Sequence, residues 1–583
     1  MEPNLKIVIL TGQDSIATCE TISLLADLKE VEIAAIITEC APPPFKLRLR
    51  NLRRNIRREG IGYLGHRVVE FFGELLESLA SRIVSPESVD SLLRESFPER
   101  EFSLEAFCRK RGIPVREVGN LNGTQAATAI RELQADLGIV LGTRILKRST
   151  FSIPRMGCIN LHKGKVPEYR GMPPGFWELF DGQRTAEVTL HKVDDGLDTG
   201  DVLGTATVPI HEKDNPKTLR RKLDLAGGAL LAQSVAAWAQ GMSDGRRQPS
   251  STLKARTSPT RSQRAHLEKK LGMHANWKAS VGYTLKSLLY LTFFYGGVFR
   301  LVRAWRRHRG VSHTCILLYH RVNDESEDPL TTSLQRFAEH MLTAQKYYRV
   351  IPTASIVTAV KTGQRLPDES IAIHFDDCYR DVYTNASRIL GQLEFPSCCF
   401  VSSGFVGTDR IFSHDAEKCP FRMANLTAED LAGLLGRGFE VGAHTVNHAD
   451  LGQSNHVETT SEVVQSKSDL EKWLGQPVTL FSYPYGERKN ISDDAIEVVR
   501  HSGCEALFSA YGGYVGANSD LYDLPRWSVS SRFRPIDLLM EIEGLSIAAW
   551  KRRWSRTTSQ RGASEQRTAT SQCAATARES REA

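Results

Sequence analysis

The sequence predicts an α/β protein made of two parallel-sheet units in tandem. Three observations point there. The chain has 583 residues, 41% hydrophobic and 25% charged, which is the balance of folded globular domains and enough length for at least two of them. Short β-branched runs alternate with helical patterns up to about Met242. After a basic, Ser/Pro-containing interruption, the same alternation resumes at Thr314.

In the first unit, Leu5–Leu10 and Val31–Thr38 read as buried parallel strands, continued by Pro114–Val118 and Leu137–Leu141. Ser15–Leu28 and Thr124–Gln134 carry helical spacing between them, so an open α/β sheet is expected. The arginine-rich stretch Phe45–Arg58 interrupts the series and reads as a solvated helix face. In the second unit the strand candidates are Cys315–Tyr319, Ser370–Phe375, Ser397–Val401, Phe439–Ala443 and Thr479–Tyr483. Leu334–Tyr348, Ala386–Leu393, Ser461–Leu474 and Asp493–His501 are the helical patterns between them, a spacing that suits a barrel of parallel strands. The expected organisation is 1–243 as the first domain, 244–313 as a basic linker, 314–550 as the second domain and 551–583 as a disordered Arg/Ser/Thr/Ala tail.

Within the linker, Val281–Trp305 is rich in Leu, Phe and Tyr, and Lys286 and Arg300 bracket its longest uncharged run. That run is shorter than the roughly 20 residues of a spanning helix. It is expected either as an amphipathic helix on an anionic membrane surface or as a helix packed on a neighbouring domain. Net charge is +7, and the eleven cysteines include no CxxC pair, so a reducing compartment is expected. The first residues lead straight into a strand-like run without a basic-then-apolar leader. These features together predict a cytoplasmic protein; the amphipathic reading of 281–305 adds a peripheral contact with the inner membrane face, and a true span, the third alternative, would put the second unit outside the cytosol.

Two places in the second unit carry chemistry. Ile371-Ala-Ile-His-Phe375 is an apolar strand running into Asp376-Asp377, and Phe439–Ala443 runs into His444-Thr-Val-Asn-His448. Two histidines with a carboxylate, leaving positions open for water, make a hydrolytic metal site at the C-terminal end of barrel strands. In isolation an acidic pair also serves as a helix cap, and HxxxH as a structural pair. Their conjunction after two strands of one unit is the specific signal.

This region resembles the polysaccharide deacetylases of carbohydrate esterase family four, over about Thr314 to Leu545. The resemblance rests on Leu317-Leu-Tyr-His-Arg-Val322, His374-Phe-Asp-Asp-Cys-Tyr-Arg-Asp381, His444-Thr-Val-Asn-His448, Phe481-Ser-Tyr-Pro-Tyr-Gly486 and Leu524-Pro-Arg-Trp527. It implies a distorted (β/α) barrel and a divalent metal on Asp377, His444 and His448, zinc first, with cobalt, nickel or manganese as alternatives. It also implies Asp376 as general base, Arg526 orienting that base, an oxyanion held by the metal and a backbone N–H near Tyr485, and a substrate groove at Tyr483, Pro484, Tyr485 and Trp527. Two departures stand out. Cys378 replaces the usual glycine, and no histidine follows His501, where the family often supplies a late general acid.

In the first unit, Gly157-Cys-Ile-Asn160-Leu-His162 runs from a strand into a polar exit. It is followed by Val166-Pro-Glu-Tyr-Arg-Gly171, Pro173-Pro174, Trp177 and the stretch Val188-Thr-Leu-His191-Lys-Val-Asp-Asp-Gly-Leu-Asp198-Thr-Gly-Asp201. Asn, His and Asp are the parts that acyl transfer to an amine needs: an amide N–H for the oxyanion, a base, and a carboxylate to orient and charge-balance it. An Asn-x-His turn is the plainer reading of the first fragment alone. The full run resembles 10-formyltetrahydrofolate-dependent formyltransferases of the methionyl-tRNA, glycinamide ribonucleotide and nucleotide-sugar types, over about Lys6 to Met242. That implies a Rossmann-like domain, 10-formyltetrahydrofolate as one-carbon donor, and Asn160, His162 and Asp198 as catalytic residues. Lys163 and Lys165 stand where the family usually has other residues, either to meet an anionic acceptor or as an exposed loop.

The two resemblances together imply a bifunctional enzyme acting on a nucleotide- or lipid-linked amino sugar, formylating its amine and removing an N-acetyl or N-formyl group. Two alternatives remain. One is formylation of methionyl-tRNA, although no tRNA-binding barrel follows the first unit and no specific nucleic acid is expected. The other is a carbohydrate-binding scaffold with a degenerate hydrolase half.

Overall fold

The computed structural model describes residues 5–549 apart from 13–14, 40–44, 61, 99, 101–103, 242–244, 250, 273–276, 312, 327, 378, 419–421 and 548. Cys378 and the expected tail 551–583 therefore lie outside the described residues.

The first unit is a seven-stranded sheet: β1 (Leu5–Thr11), β2 (Val31–Glu39), β3 (Val115–Val118), β4 (Leu137–Leu141), β5 (Cys158–His162), β6 (Thr185–Lys192) and β7 (Val202–Pro209). Their order is β3-β2-β1-β4-β5-β6-β7. The first five are parallel, and β6 and β7 add an antiparallel edge. Ile7, Val8, Ile9 and Leu10 are all fully buried, because β1 lies centrally with helices on both faces. The build direction reverses at β1, which opens a crevice at the C-terminal strand ends beside β4 and β5.

The second unit contains β8 (Cys315–Tyr319), the short parallel pair β9 (Arg321–Val322) and β10 (Thr331–Thr332), β11 (Arg349–Val350), β12 (Ser370–Phe375), β13 (Ser397–Val401), β14 (Phe439–Ala443), β15 (Leu480–Ser482), β16 (Ala506–Phe508) and β17 (Trp527–Ser528). The main sheet runs β16-β15-β14-β13-β12-β8-β17, all parallel, with β11 alongside β12. It curls into a half-barrel. One extended segment joins its edges: Leu524 pairs with Phe508 of β16, and Trp527 and Ser528 pair with Leu317 and Leu318 of β8. The helix expected from Ser461 starts at His456, because the Asn455 side chain and Glu458 cap its first turn reciprocally. The helix expected from Ala386 is preceded by a π-turn, Val382–Ala386, and runs Ser387–Gln392.

Among the described residues, most of the stretch expected as a linker is structured. Residues 246–271 complete the first unit: Arg246 pairs with Val202, the Gln248 amide donates to the carbonyls of Asp198 (3.2 Å) and Gly200 (2.6 Å), and Leu267 is buried in the first core. The physical reason is that the loops after β5 and β6 leave backbone groups open, and this segment satisfies them.

Further helices join the second core from outside its sequence range. The arginine-rich insertion forms α1 (Phe45–Glu59), followed by α2 (Gly62–Ser81) and α3 (Pro86–Ser96). The former linker supplies α4 (Trp277–Tyr295) and α5 (Val298–Arg309). Ala80, Ile83, Val84, Val89, Leu92, Leu93 and Phe97 are buried with the second unit's core, as are Tyr290, Leu291 and Phe299. Ion pairs anchor them: Arg534 to Glu77 (3.0 Å), Lys286 to Asp537 (3.0 Å) and Arg303 to Glu543 (2.9 Å). Among the described residues no single helix is long and apolar enough to cross a membrane.

Phe97 is fully buried in that second core, with the guanidinium carbons of Arg100 and Arg388 within 5.0 and 4.8 Å of its ring centroid. Phe97→Ala is expected to destabilise the second unit by roughly 3–5 kcal/mol. Chemical denaturation of the full chain, with a metal-site probe, reads this. A loss confined to the first unit's transition would contradict the packing.

Candidate active sites

In the second unit, four strand ends meet. Phe375 of β12 is in register with Tyr319 of β8, so Asp376 and His320 emerge side by side, and the Asp376 N–H donates to the Tyr319 carbonyl at 3.1 Å. Ala443 of β14 pairs with Phe481 of β15, which sets His444 against Ser482.

Asp377, His444 and His448 each offer a ligand atom, all within 4.8 Å of one another, and all three residues are buried. Asp377 Oδ1 lies 3.2 Å from His448 Nε2 and 3.7 Å from His444 Nε2. His444 Nδ1 sits 2.8 Å from the Ser482 carbonyl. That bond fixes the proton on Nδ1 and leaves Nε2 as a lone-pair donor aimed at the site, the arrangement metal-ligating histidines use. Asp377 Oδ2 is buried without a hydrogen bond among the described residues. A two-imidazole, one-carboxylate set whose second carboxylate oxygen meets only His414 Nε2, at 3.5 Å, fits a divalent cation. Burial works to raise the Asp377 carboxyl, but His414 and His448 outweigh it and hold it well below its ordinary value.

Asp376 is held differently. Arg526, fully buried, forks onto both its oxygens at 2.7 Å each, donates to Ser482 Oγ at 2.6 Å and to the Ser509 carbonyl at 2.8 Å. Burial would raise this carboxyl as well, but the Arg526 guanidinium keeps it below its ordinary value and therefore ionised.

The expected groove residues divide. Tyr485 is 46% exposed, with its ring 4.7 Å from that of His448, and its N–H has no partner among the described residues. Pro484 lies beside it in the buried turn after β15. Tyr483 and Trp527 are buried in the core, and the Trp527 indole donates to the Gly513 carbonyl. These two support the groove from behind instead of lining it, because their strands turn them inward. Two residues that sequence reasoning passed over join the site. His320 is half-buried facing both carboxylates; burial pushes its imidazole down while Asp377 and Asp376 oppose. His414 Nε2 lies 3.5 Å from Asp377 Oδ2 and 2.9 Å from the Tyr379 hydroxyl.

In the first unit, Asn160 and His162 point from β5 into the crevice, and the antiparallel register sets Asn160 opposite His191. The Asn160 amide nitrogen is 3.1 Å from His191 Nε2 and 3.4 Å from Asp198 Oδ1. Asp198 Oδ2 is 3.5 Å from His162 Nδ1 and accepts from the Gly171 N–H at 3.1 Å. His162 Nε2 lies 2.9 Å from the Tyr169 carbonyl. The three expected residues are therefore together, with His191 as an unforeseen fourth. Burial lowers the His162 imidazole, opposed by Asp198. Burial also works to raise Asp198, but the His191 and His162 imidazoles hold it below its ordinary value. A cavity of about 100 Å³ adjoins the group, lined by Val140, Ile145, Leu146, Val193 and Leu197 among others. Lys163 is taken up by an ion pair with Asp224, whereas Lys165, half-exposed and 3.2 Å from Glu168, lines a neighbouring cavity of about 790 Å³.

Among the described residues, five of the eight non-glycine residues at positive φ belong to these sites: Asp198, Asp377, Thr445, His448 and Tyr485. Such strain collects where surrounding contacts over-determine a working geometry.

Two outcomes follow. Purified protein is expected to hold one divalent cation per chain by elemental analysis, and His444→Ala to lose it. Arg526→Met is expected to cost roughly 3–5 kcal/mol, by leaving a buried charge unpaired, and Arg526→Met with Asp376→Asn to recover part of that. Chemical denaturation checks the cycle; purely additive losses would refute the pairing.

Comparison with known proteins meets this geometry. Residues 93–235 match the formyl transferase family, and residues 363–507 match the polysaccharide deacetylase family. A methionyl-tRNA formyltransferase of Thermosynechococcus vestitus is 38% identical over 134 residues, 23% of this chain and 40% of the relative. One of Chlorobium limicola is 32% identical over 150 residues, 26% of this chain and 46% of the relative. The chain thus spans less than half the length of these curated relatives. Among solved structures, a Streptococcus pyogenes deacetylase in complex with acetate is 22% identical with TM-score 0.34, covering 39% of this chain and 97% of that one. Glycinamide ribonucleotide transformylase 1 from Symbiobacterium toebii is 14% identical with TM-score 0.28, covering 41% of this chain and 90% of that one. The chain carries a formyl transferase region followed by a polysaccharide deacetylase region, both of them enzyme families.

Proposed function

We propose that this chain is a bifunctional amino-sugar enzyme. Its first unit transfers a formyl group from 10-formyltetrahydrofolate to a sugar amine, and its second removes an N-acyl group from an amido sugar by metal-dependent hydrolysis. The observation that carries this reading is that each region of family likeness holds its own polar cluster, half-buried Asn160 and Asp198 around buried His162 in one, and buried Asp376, Asp377, His444 and His448 in the other. Both chemistries act on a nitrogen–acyl bond, one making it and one breaking it. A nucleotide- or lipid-linked amino sugar is the substrate class that gives both sites work on one molecule. On this reading the first unit works in the cytoplasm, with its formyl-folate donor.

At the first site, His162 faces an acceptor at each ring nitrogen, the Tyr169 carbonyl and Asp198. The neutral ring donates to only one of them, whereas the imidazolium donates to both. Burial keeps the resting ring neutral, so it can take the proton an attacking amine releases, with Asp198 balancing the charge. His191 and Asp198 fix the Asn160 amide, a donor for negative charge developing on the acyl oxygen. The cavity beside Ile145 and Leu146 joins apolar lining to Arg144, His191 and Asp194, a mixture that suits a flat ring with a polar edge such as a pteridine. The folate supplies the activated formyl group.

At the second site, a cation on Asp377, His444 and His448 supplies Lewis acidity toward an amide carbonyl and a water. Asp376, held ionised by Arg526, accepts the proton of the attacking water. The proton that Asp376 takes from the water is the one available to the leaving amine, and His320, kept neutral by burial, stands beside it at the adjacent strand end.

Mass spectrometry of an N-acetylated nucleotide sugar incubated with protein and formyl-folate tests the proposal. A free amine and an N-formyl product are expected, and neither appearing would count against it. Asp376→Asn is expected to slow deacylation about 10²–10⁴-fold and spare formylation of a supplied amino sugar, and Asn160→Ala to do the reverse. The curated relatives are methionyl-tRNA formyltransferases, which makes charged tRNA the competing acceptor. Formylation of methionyl-tRNA in place of the sugar would favour that reading.

A further inference from the structure

Helices α2, α4 and α5 each give one face to the second core and leave another bare. On α2, Val68, Phe71, Phe72 and Leu75, spaced i, i+3, i+4 and i+7, are 54%, 62%, 51% and 45% exposed. Glu74 and Glu77 lie off that stripe, and Glu77 is held by Arg534. On α4, Leu285, Leu288, Leu289 and Tyr295 are 62%, 53%, 38% and 61% exposed; on α5, Leu301 and Trp305 are 69% and 57% exposed. α2 packs against α4, and α4 against α5, so the bare stripes belong to one helical layer. So many large apolar side chains on one layer go beyond the scattered ones of an ordinary surface.

The charges on this layer are sorted. From Lys269 to His313 the chain has nine lysines and arginines and no Asp or Glu. Three of them face inward and are paired: Lys286 with Asp537, and Arg303 and Arg306 with Glu543. Arg300, Arg307 and Arg309 are exposed. At 3.6 residues per turn, Arg300 and Arg307 fall on one flank of the Leu301–Trp305 stripe and Arg309 on the other. The nearest acid to Arg307 is Glu369, at 3.9 Å. α1, packed on α2, adds exposed Arg50, Arg53, Arg54, Arg57 and Arg58.

We propose that α2, α4 and α5 form a docking face for an anionic phospholipid bilayer. The apolar stripes enter the acyl boundary, Tyr295 and Trp305 sit at headgroup depth, and the flanking arginines meet lipid phosphates. The α4–α5 pair lies on the bilayer instead of crossing it. It bends by 55° at a break, its inner face is filled by the second core, and Arg303 in mid-α5 is held by Glu543. A second copy of the chain would set arginine against arginine. The proposal stands apart from either reaction, and its test reads no activity.

Flotation of the full-length protein with vesicles decides it. The protein is expected to float with phosphatidylcholine–phosphatidylglycerol vesicles and not with phosphatidylcholine alone. Leu301→Ser with Trp305→Ser is expected to abolish flotation. Arg300→Gln with Arg309→Gln should weaken it roughly fivefold per arginine, the equivalent of about 1 kcal/mol each. Unchanged circular dichroism in each variant shows that the fold is kept. Equal binding to both vesicle types, or binding to neither, overturns the proposal. So does a dimer in sedimentation velocity that Leu301→Ser with Trp305→Ser dissolves, which would make the face a contact between copies.

Discussion

The buried pair between Asp376 and Arg526 holds the second unit together at its most demanding point. The two residues are 150 positions apart in the chain. A lone carboxylate in that interior would carry a penalty of several kcal/mol. Arg526 lies between Leu524, which pairs with β16, and Trp527, which pairs with β8. Satisfying the carboxylate and joining the two sheet edges are thus one event. The same guanidinium reaches Ser482 and the Ser509 carbonyl, so the ends of β12, β15 and β16 are drawn to a single side chain.

The two sites share a construction rule although their chemistry differs. In each, parallel or antiparallel register brings polar residues from neighbouring strand ends into contact: Asp376 with His320, His444 with Ser482, Asn160 with His191. In each, a histidine nitrogen is occupied by a backbone carbonyl, of Ser482 or of Tyr169, which orients the ring. Non-glycine residues at positive φ then turn the next side chains into place, as Asp377 at +79° does directly after Asp376.

What the sequence showed follows from what is local. Short runs rich in isoleucine and valine, such as Ile7–Leu10 and Ile371–Phe375, are buried on both faces and announce themselves as strands. Asp377, His444 and His448 follow such runs directly. His191 did not stand out, because it sits inside a strand and its meaning comes from the residue paired across from it. His320 and His414 reach their carboxylates through the fold alone. Tyr483 and Trp527 share a motif with exposed neighbours, and only the facing of their strands separates support from surface. The allegiance of Ala80–Phe97 to a core hundreds of residues away leaves no short-range mark at all.

That last feature has an evolutionary consequence. A segment numbered inside the first unit fills the interior of the second, so no single cut divides the chain into two intact pieces. Recombination that exchanged either half alone would leave one partner with a hole and the other with bare leucines. The two regions must be inherited together, in a fixed ratio of one to one, and any divergence along α3 has to be answered by residues on the far side of the gene.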